Sequence, residues 1–326
     1  MKKINVKEAV GMTLCHDITE IIPGGFKGAK FLKGHIIRED DVEVLLSLGK
    51  ENIYIWEEDE NYVHENDAAE FIKENIIGNN MSASEIREGK INFIADRDGI
   101  YKVNTELLRE INSIGEIIVA TKYNNTPVKK GGVVAGTRII PLRVEKKQLE
   151  ELKKITENKS LMEIKEIKSD LRVGIITTGN EIFHGRIKDK SREALGEKLG
   201  KYGVKTIKQV FMPDEKDLII AQIKEYINDT DIILCTGGMS IDPDDVTSDA
   251  IAESGCKMVT YGTPVLPGAM FLLGYFGEKI IMGLPGGVVF SKNSVFDILL
   301  PRILAGDVIT KEDITDMGHG GLLSQN

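Results

Sequence analysis

Acidic residues follow a pair of glycines in the stretch Asp231–Ala250, which reads DIILCTGGMSIDPDDVTSDA. The apolar run before Thr236 predicts a strand, and Gly237 and Gly238 let the main chain come close to a ligand. Main-chain amides in such a turn, beside a helix N-terminus, bind phosphate or another anion without a lysine. Because the aspartates would repel that anion, we expect Mg²⁺ to bridge it to a nearby carboxylate.

Helix capping is a simpler interpretation of the same aspartates. In that case Asp242 is the N-cap of a helix starting near Pro243, and Asp244 and Asp245 lie in its first turn, where the helix dipole favours acids. Asp214, in the motif MPDE, can equally be the N-cap of a helix that begins near Lys216. A glycine after a strand is also often only a turn. Both interpretations stay open.

The elements that must position these acids alternate between strand-like and helix-like segments over residues 169–309. Apolar runs at 171–179, 204–215, 231–238 and 277–287 predict strands, and amphipathic segments at 191–203, 216–227 and 291–304 predict helices, with Leu218 expected on the inward face of the second. Such alternation predicts parallel strands with helices on both faces and ligands at the carboxyl ends of the strands. Glu181 in TTGNE, Asp214 and Asp245 would then converge on one cleft from three loops.

The predicted fold class is α/β, a three-layer sandwich with a mostly parallel sheet, preceded by a β-rich α+β N-terminal region. Residues 1–60 combine glycine-punctuated strands with the helix EDDVEVLLSLG, and residues 61–168 follow with a polar, helix-like start. In this middle region we expect a hairpin-like turn at Asp98-Gly99, and in KKQLEELKKITENKSLMEIKEI a connecting helix and linker into the second half. The predicted domains are 1–60, 61–168, 169–309 and a flexible tail, 310–326.

Composition excludes several functional classes. The chain has 326 residues, a net charge of -9 and only three cysteines, so nonspecific nucleic-acid binding, a disulfide framework and a zinc site are not expected. No apolar segment reaches the roughly 18 residues of a membrane helix, and the N-terminus lacks a signal peptide, so we expect a cytoplasmic protein without a membrane partner. One basic segment, between Gly185 and Lys205, is interpreted either as a solvated face or as a collar around an anionic small molecule.

The motifs TTGNE, MPDE, TGGMSIDPDD followed by VT, and GLPGG carry a resemblance to a known family. They occur in the order and spacing of the molybdopterin-binding domain of molybdopterin molybdenumtransferases, molybdopterin adenylyltransferases and gephyrin. Residues 171–305 resemble that domain throughout. The N-terminal KEAVGMTLCHDITEIIPGGFKGAKFLKGHII resembles the opening of the molybdenumtransferase branch.

The resemblance implies a bound pterin dithiolene phosphate, and it implies roles for individual residues. It implies Glu181, Asp214 and Asp245 as catalytic residues, with Asp214 and Asp245 as Mg²⁺ ligands. It also implies a set of substrate-binding residues: Thr178, Gly179, Thr236, Gly237, Gly238, Ser240, Pro285, Gly286 and Gly287. In the reaction of the transferase branch, molybdate is joined to adenylylated molybdopterin and the adenylate is cleaved.

The sequence departs from the family pattern at three places. TGGMSIDPDD replaces the SGGVSVG-like run of the transferase branch, and DDVT is closer to the adenylyltransferase form. The turn DKSREA keeps Asp189 and Ser191 but lacks the usual Asp-Ser/Thr-Asn sequence. The residues after Leu304 leave no room for the C-terminal β-barrel that is common in molybdenumtransferases.

Three functions therefore stay open. The first is a molybdenumtransferase-like enzyme that uses Mg²⁺, molybdopterin and molybdate in molybdenum cofactor biosynthesis. The second is a noncatalytic carrier or sensor of molybdopterin or the cofactor, and the third is a nucleotide pyrophosphatase resembling the competence-damage family. The resemblance also implies a homodimer, in which Lys27, Lys30 and Lys33 would face the ligand unless they lie on an exposed loop. Candidate protein partners are molybdoenzymes and other cofactor-assembly proteins.

Overall fold

The computed structural model describes residues 1–21, 27–55, 59–140, 142–240, 242 and 245–324. The chain divides into an N-terminal unit, Met1–Lys165, and a C-terminal unit, Glu166–Asn326. This division lies close to the boundary near 168 that the sequence predicts. Among the described residues, no helix is both long enough and apolar enough to span a bilayer.

The N-terminal unit contains short antiparallel sheets and four helices among its described residues. Its strands are β1 (Lys2–Asn5), β2 (Ile18–Ile21), β3 (Lys27–Phe31), β4 (Asn52–Ile55), β5 (Tyr62–His64), β6 (Met81–Ala83), β7 (Lys90–Ala95), β8 (Gly99–Val103), β9 (Ile117–Thr121), β10 (Thr126–Val128), β11 (Val133–Ile139), β12 (Arg143–Glu145) and β13 (Met162–Lys165). Its helices are α1 (Glu39–Ser47), α2 (Glu65–Ile76), α3 (Thr105–Asn112) and α4 (Lys146–Thr156). The β-rich character expected from the sequence is confirmed.

Two predictions for the middle region are wrong. The turn at Asp98-Gly99 does not close a hairpin, because β7 pairs with β6 and β11 whereas β8 pairs with β10 and β13. The carboxylate of Asp98 instead accepts hydrogen bonds from Lys129 and Lys130, on the chain that leads away from β10. The predicted helix is present as α4, but it is not part of a linker, because Leu149 and Leu152 are buried in the core of this unit.

A buried histidine joins the start of α2 to the first 60 residues. Nε2 of His64 donates to the carbonyl of Cys15 at 2.8 Å, and Nδ1 accepts from the amide of Asn66 and from Nζ of Lys33 at 2.9 Å. Burial lowers the pKa of His64, and the nearby charge of Lys33 acts in the same direction. Lys30 pairs with Glu20 at 3.2 Å, so Lys30 and Lys33 both have partners inside this unit. The side chain of Lys27 lies outside the described part.

The C-terminal unit is built on one six-stranded sheet. Its strands are β14 (Val173–Thr178), β15 (Thr206–Met212), β16 (Ile232–Thr236), β17 (Lys257–Tyr261), β18 (Leu272–Phe276) and β19 (Lys279–Leu284). Its helices are α5 (Asn180–Phe183), α6 (Ser191–Gly200), α7 (Lys216–Tyr226), α8 (Thr247–Glu253), α9 (Gly286–Val289), α10 (Val295–Leu304) and α11 (Lys311–Asp316). The strand order is β15-β14-β16-β19-β18-β17, so β15 is an edge strand.

Apolar side chains on the two faces of this sheet form two separate cores. Ile175 and Leu234 pack on one face with residues of α6 and α10, while Ile176 and Ile233 pack on the other face with α7 and α8. Successive side chains of a strand point to opposite faces of the sheet, so a fully apolar strand contributes side chains to both cores. The predicted α/β fold, with its sheet between two helical layers, is confirmed.

The sheet also differs from the prediction. β14 pairs in parallel with β15 and β16, and β16 with β19, but β17 and β18 are antiparallel neighbours that the sequence analysis missed. Leu218 was expected to face inward, yet 44% of it is exposed, because α7 buries the Ile219 and Ile223 face.

The residues after 309 do not form the flexible tail that we predicted. Helix α11 begins with a capping box between Thr310 and Asp313, and Ile314 is buried against the core. Leu266 exchanges main-chain hydrogen bonds with Gly321 and Leu323, which ties the chain end to the loop after β17. Burial of one apolar side chain and these paired main-chain groups explain why this segment is ordered.

Candidate functional site

The turn after β16 depends on two glycines in a left-handed conformation. Gly237 has a φ of 85° and Gly238 a φ of 51°. A Cβ on Gly237 would lie 2.1 Å from the carbonyl oxygen of Thr178, and a Cβ on Gly238 would lie 2.6 Å from Oγ1 of Thr247. Only glycine fits this close approach and this backbone, so the glycine pair is more than a common turn.

Buried threonines hold the turn against the neighbouring loops. Oγ1 of Thr178, at the end of β14, lies 2.8 Å from Oγ1 of Thr247, the first residue of α8. Thr236 donates to Oγ1 of Thr177 at 3.3 Å, and Gln209 on β15 donates to the same atom at 2.9 Å. The hydroxyls of Thr178 and Thr236 are therefore used inside the protein, and any ligand contact from these two residues would come from the main chain.

Asp214 does not cap the helix that follows it. Helix α7 has Glu215 as its N-cap, while Oδ2 of Asp214 accepts a hydrogen bond from the amide of Asn180 at 2.9 Å. Oδ1 of Asn180 in turn accepts from the amide of Asp214 at 3.4 Å. The capping interpretation is wrong here, and Asp214 connects the loop after β15 to the loop after β14.

Asp245 is not in the first turn of a helix either. Helix α8 begins at Thr247 with Val246 as its N-cap, two residues beyond Asp245. Oδ2 of Asp245 accepts from the amide of Ser240 at 2.8 Å, and its own amide donates to the carbonyl of Asp242 at 2.9 Å. Asp242 therefore does not have the predicted N-cap position, while Pro243 and Asp244 lie outside the described residues. Asp245 folds back over the glycine turn.

Glu181 lies in the short helix α5, which begins directly after Gly179. Gly179 has a φ of 136°, and a Cβ at that position would lie 3.0 Å from Oε1 of Glu181. The side chain of Glu181 thus bends back toward the end of β14 while the residue stays exposed to solvent. We find it next to Asn180, whose amide binds Asp214.

The three predicted acids thus follow β14, β15 and β16, which are adjacent parallel strands. Their loops leave the same edge of the sheet, as the sequence predicted. Among the described residues, however, no three Asp, Glu, His or Cys side chains are close enough together to hold a metal ion. A divalent cation at this edge would need phosphate oxygens and water for most of its ligands, which is a common arrangement for Mg²⁺.

The fourth predicted segment, Pro285–Gly287, follows β19 on the same edge. Pro285 is the N-cap of α9, and a Cβ on Gly286 or Gly287 would meet no atom within 4 Å. The amides in the first turn of a helix lack partners within the helix, so these two can point to a ligand. The amide of Ser240 is different, because Asp245 already accepts its hydrogen bond.

Asp189 organises a polar cluster beside this edge. Its carboxylate accepts from the amide and hydroxyl of Ser191 at 2.9 and 2.7 Å, and from Nε2 of Gln209 at 2.9 Å. Burial alone would raise the pKa of Asp189, but these hydrogen bonds and one from the amide of Arg192 outweigh burial and lower the pKa. A cavity of about 510 Å³ opens next to Asp189 and Gln209. The role of Gln209 was missed, because one glutamine within a strand gives no sequence signal.

The basic segment between Gly185 and Lys205 is not a continuous collar. Lys188 and Arg192 line the 510 Å³ cavity. Lys198, in contrast, is buried and pairs with Asp297 at 2.5 Å while donating to the carbonyl of Ser291 at 2.8 Å. This ion pair ties α6 to α10 and to the segment that follows Gly287.

Two family profiles match parts of the chain. Residues 174–305 match a profile described as a probable molybdopterin binding domain, and residues 3–57 match a domain of unknown function (DUF8806). The CinA-like proteins of Fervidobacterium nodosum and Petrotoga mobilis are 35% and 41% identical to this chain over 80 residues, which is 24% of this chain and 20% of each relative. A protein of Archaeoglobus fulgidus is 34% identical over 80 residues, 24% of this chain and 35% of that protein. The alignments thus span a fifth to about a third of these curated relatives.

Solved structures that superpose on part of this chain include CinA from Thermoplasma acidophilum and the molybdopterin biosynthesis enzyme MoaB from Thermus thermophilus. The first is 17% identical with a TM-score of 0.35, and covers 42% of this chain and 99% of that chain. The second is 22% identical with a TM-score of 0.35, and covers 42% and 98%. The profile match therefore identifies which part of this chain is similar to molybdopterin-binding domains: residues 174–305, which carry the glycine turn and the three acids.

Proposed function

We propose that the C-terminal unit binds molybdopterin or its adenylylated form through the phosphate, at the edge that carries Gly237 and Gly238, and that the protein is a molybdenumtransferase-like enzyme of cofactor biosynthesis. The observation that carries this proposal is the glycine turn itself. Its backbone excludes any side chain at two successive positions. Both glycines remain partly exposed, and a turn of this backbone conformation suits recognition of phosphate by main-chain amides.

In this proposal the acids act around the bound phosphate. Asp245 is held by the amide of Ser240 and Asp214 by the amide of Asn180, so both carboxylates are oriented before the ligand arrives. Because carboxylates repel phosphate, they would act by holding a cation against it, and their fixed orientation avoids reorganisation during the reaction. The exposed Glu181 would orient the water molecule that attacks the pyrophosphate bond, so that this P–O bond breaks and AMP leaves. The two dithiolene sulfurs would replace an oxygen of molybdate, which takes up their protons and leaves as water.

Mg²⁺ remains part of the proposal with Asp214 and Asp245 as its protein ligands. These two carboxylates alone do not make a complete coordination shell, so binding of the ion would depend on the substrate phosphate. When bound, the ion would neutralise charge that develops on the phosphate oxygens. In the absence of ligand we expect only weak Mg²⁺ binding.

A second candidate function is hydrolysis of a nucleotide pyrophosphate linkage. What supports it is the resemblance to the competence-damage family, together with a relative from Desulforudis audaxviator named putative competence-damage inducible protein, which is 30% identical over 91 residues. Adenylylated molybdopterin and ADP-ribose both contain a pyrophosphate bond to adenosine, so one phosphate-binding edge can serve either reaction. A noncatalytic carrier, the third candidate, would bind the pterin without cleaving this bond.

One assay separates these candidates. Purified protein is mixed with adenylylated molybdopterin, molybdate and Mg²⁺, and AMP release is followed together with reconstitution of an apo molybdoenzyme. We expect AMP and active cofactor from the full chain. When ADP-ribose replaces the pterin substrate, its cleavage, together with no cofactor formation in the first mixture, would favour the pyrophosphatase. Tight pterin binding without AMP release would favour the carrier.

We also propose that the protein is a cytoplasmic homodimer that passes its product to molybdoenzymes or other assembly proteins. Sedimentation equilibrium of the full chain tests the dimer, and fractionation of cells tests the compartment. A monomer at micromolar concentration would remove the homodimer from the proposal but would leave the phosphate-binding edge unaffected.

A further inference from the structure

A second cavity, of about 950 Å³, lies in the C-terminal unit away from the glycine turn. Its lining includes Ile232 at the start of β16, Lys257 at the start of β17 and Phe276 at the end of β18. Gly237 follows the opposite end of β16, and a five-residue strand is roughly 16 Å long. The cavity therefore opens at the opposite end of the parallel strands from the candidate site.

The outer wall of this cavity, residues 306–311, is held in place by specific contacts. The hydroxyl of Tyr275 accepts from the amide of Ile309 at 2.9 Å, and Nζ of Lys311 donates to Oγ1 of Thr260 at 2.9 Å. Arg302 pairs with Asp307 at 3.3 Å and with Asp313 at 2.6 Å on the far side of this wall. A cavity with fixed walls is pre-formed for a ligand.

The charges around the cavity favour an anion. Four lysines line it, namely Lys168, Lys257, Lys279 and Lys311, together with the acids Asp231, Glu278 and Asp307. Arg172 pairs with Asp231 at 2.9 Å, and Arg302 divides its charge between Asp307 and Asp313. The four lysines and two arginines carry six positive charges, whereas Asp231, Glu278, Asp307 and Asp313 carry four negative charges, so positive charge is in excess among these residues.

The floor of the cavity is apolar. Ile232 and Ile303 are buried there, and Val259 and Tyr275 are half-buried against the same core, whereas Met258 and Phe276 pack on the opposite face of the sheet. Covering the accessible surface of these apolar side chains with an apolar group removes it from water and therefore favours binding. An inorganic ion would leave this floor in contact with water, whereas a neutral apolar molecule would not use the lysines.

We propose that this cavity is a second ligand site, which takes a small organic anion with an apolar body, such as an aromatic sulfonate, carboxylate or phosphate. The apolar body would lie on Val259 and Tyr275, and the anionic group would lie near Lys257 and Lys168. This site is independent of the phosphate-binding edge and of the function proposed for it.

The test uses naphthalene-1-sulfonate as the anionic probe and 1-naphthylmethylammonium as a cation of similar size, with binding to the full chain measured by calorimetry. We expect the sulfonate to bind at one site per chain, with an affinity that falls at high salt because its charge contacts are screened. We expect the ammonium probe to bind at least tenfold more weakly. Equal binding of the two probes would overturn the proposal.

Variants locate the binding site. Lys168→Glu/Lys257→Glu should weaken sulfonate binding at least tenfold, whereas the matched exchange Lys153→Glu/Lys224→Glu, on exposed helix positions outside the cavity, should not. Asp245→Asn should also leave sulfonate binding unchanged, so failure of this inference is distinguishable from failure of the proposed function. Unchanged binding in the Lys168→Glu/Lys257→Glu protein, with an unaltered melting temperature, would overturn the assignment of this cavity.

Discussion

The carboxylate of Asp214 accepts a hydrogen bond from the amide of Asn180 at 2.9 Å, which joins the loops after two adjacent parallel strands. Asp214→Asn keeps an oxygen that can accept this bond but removes the charge. We therefore expect less than about 1 kcal/mol of lost stability together with a loss of most AMP release. Asp217→Asn, an exposed acid in the first turn of α7, is the matched control and should retain turnover. Full activity in Asp214→Asn would exclude a charged role for this residue.

Asp245 offers a second test of the acid cluster. Asp245→Asn should lose most AMP release and retain pterin binding, because the glycine turn stays while the negative charge is lost. Fluorescence titration with molybdopterin measures binding, and chromatography measures AMP. The matched control is Asp249→Asn, an exposed position in α8. Turnover at the original rate in Asp245→Asn would contradict the role that we propose for Asp245.

The glycine turn predicts a large effect of one methyl group. In Gly238→Ala the new Cβ would meet Oγ1 of Thr247 at 2.6 Å in a left-handed backbone, so we expect a loss of about 1–3 kcal/mol or more and weaker pterin binding. Gly196→Ala is the control, since Gly196 lies inside α6 with open space around it and should gain about 0.5–1 kcal/mol. Urea unfolding measures both, and an equal response of the two variants would contradict the steric argument.

Lys198 tests the connection between α6 and α10. Lys198→Met leaves the half-buried Asp297 without its partner at 2.5 Å and, among the described residues, with only the hydroxyl of Ser294 as a donor, so we expect destabilisation of about 1–3 kcal/mol. The double variant Lys198→Met/Asp297→Leu should recover part of this loss, because both charges are then gone. Chemical denaturation of the three proteins gives the values. A double variant no more stable than Lys198→Met would mean that the charge pair is not the cause.

The neutral state of His64 predicts a pH dependence in the N-terminal unit. Because burial holds the folded-state pKa below that of the unfolded chain, the unfolded state gains the proton first as the pH falls. The stability from neutral His64 is thus present above about pH 6.5 and lost below it, by up to ~1.4 kcal/mol per pH unit. His64→Gln should lose less stability than the natural protein between pH 7 and 5. Glu65, whose pKa burial raises, is common to both proteins and cancels in the difference. His16, whose pKa burial lowers, is also repelled by His64, but this is the smallest influence on its pKa, so the difference between the two profiles reports mainly on His64. Parallel pH profiles would exclude His64 as the cause.

Much of the C-terminal unit was predictable because its strands are apolar on both faces and its helices have one apolar face. The pair β17 and β18 was missed, since Pro264, Pro267 and nearby glycines interrupt the pattern between them. The glycine turn and the positions of the acids in loops after the strands were predicted from the alternation of apolar runs and amphipathic segments along the sequence. Hydrogen bonds such as Asp214 to Asn180 did not, because their partners lie 34 residues apart and only the parallel pairing brings them together. The hydrogen bond of Gln209 to Asp189 and the ion pair of Lys198 with Asp297 could not be predicted for the same reason, since their partners are also far apart in the sequence.

Strand β15 ends the six-stranded sheet, and in the described structure no strand pairs with its outer side. Ile207 and Phe211 on this strand are 51% and 41% exposed, and the exposed Lys205 lies just before the strand, whereas Lys208 is paired with Asp229. Charged residues on an edge strand discourage other chains from adding to the sheet, and salt screens that repulsion. Concentrated samples should therefore stay dispersed at low ionic strength and self-associate as salt is added, which sets a practical limit on crystallisation from high-salt solutions.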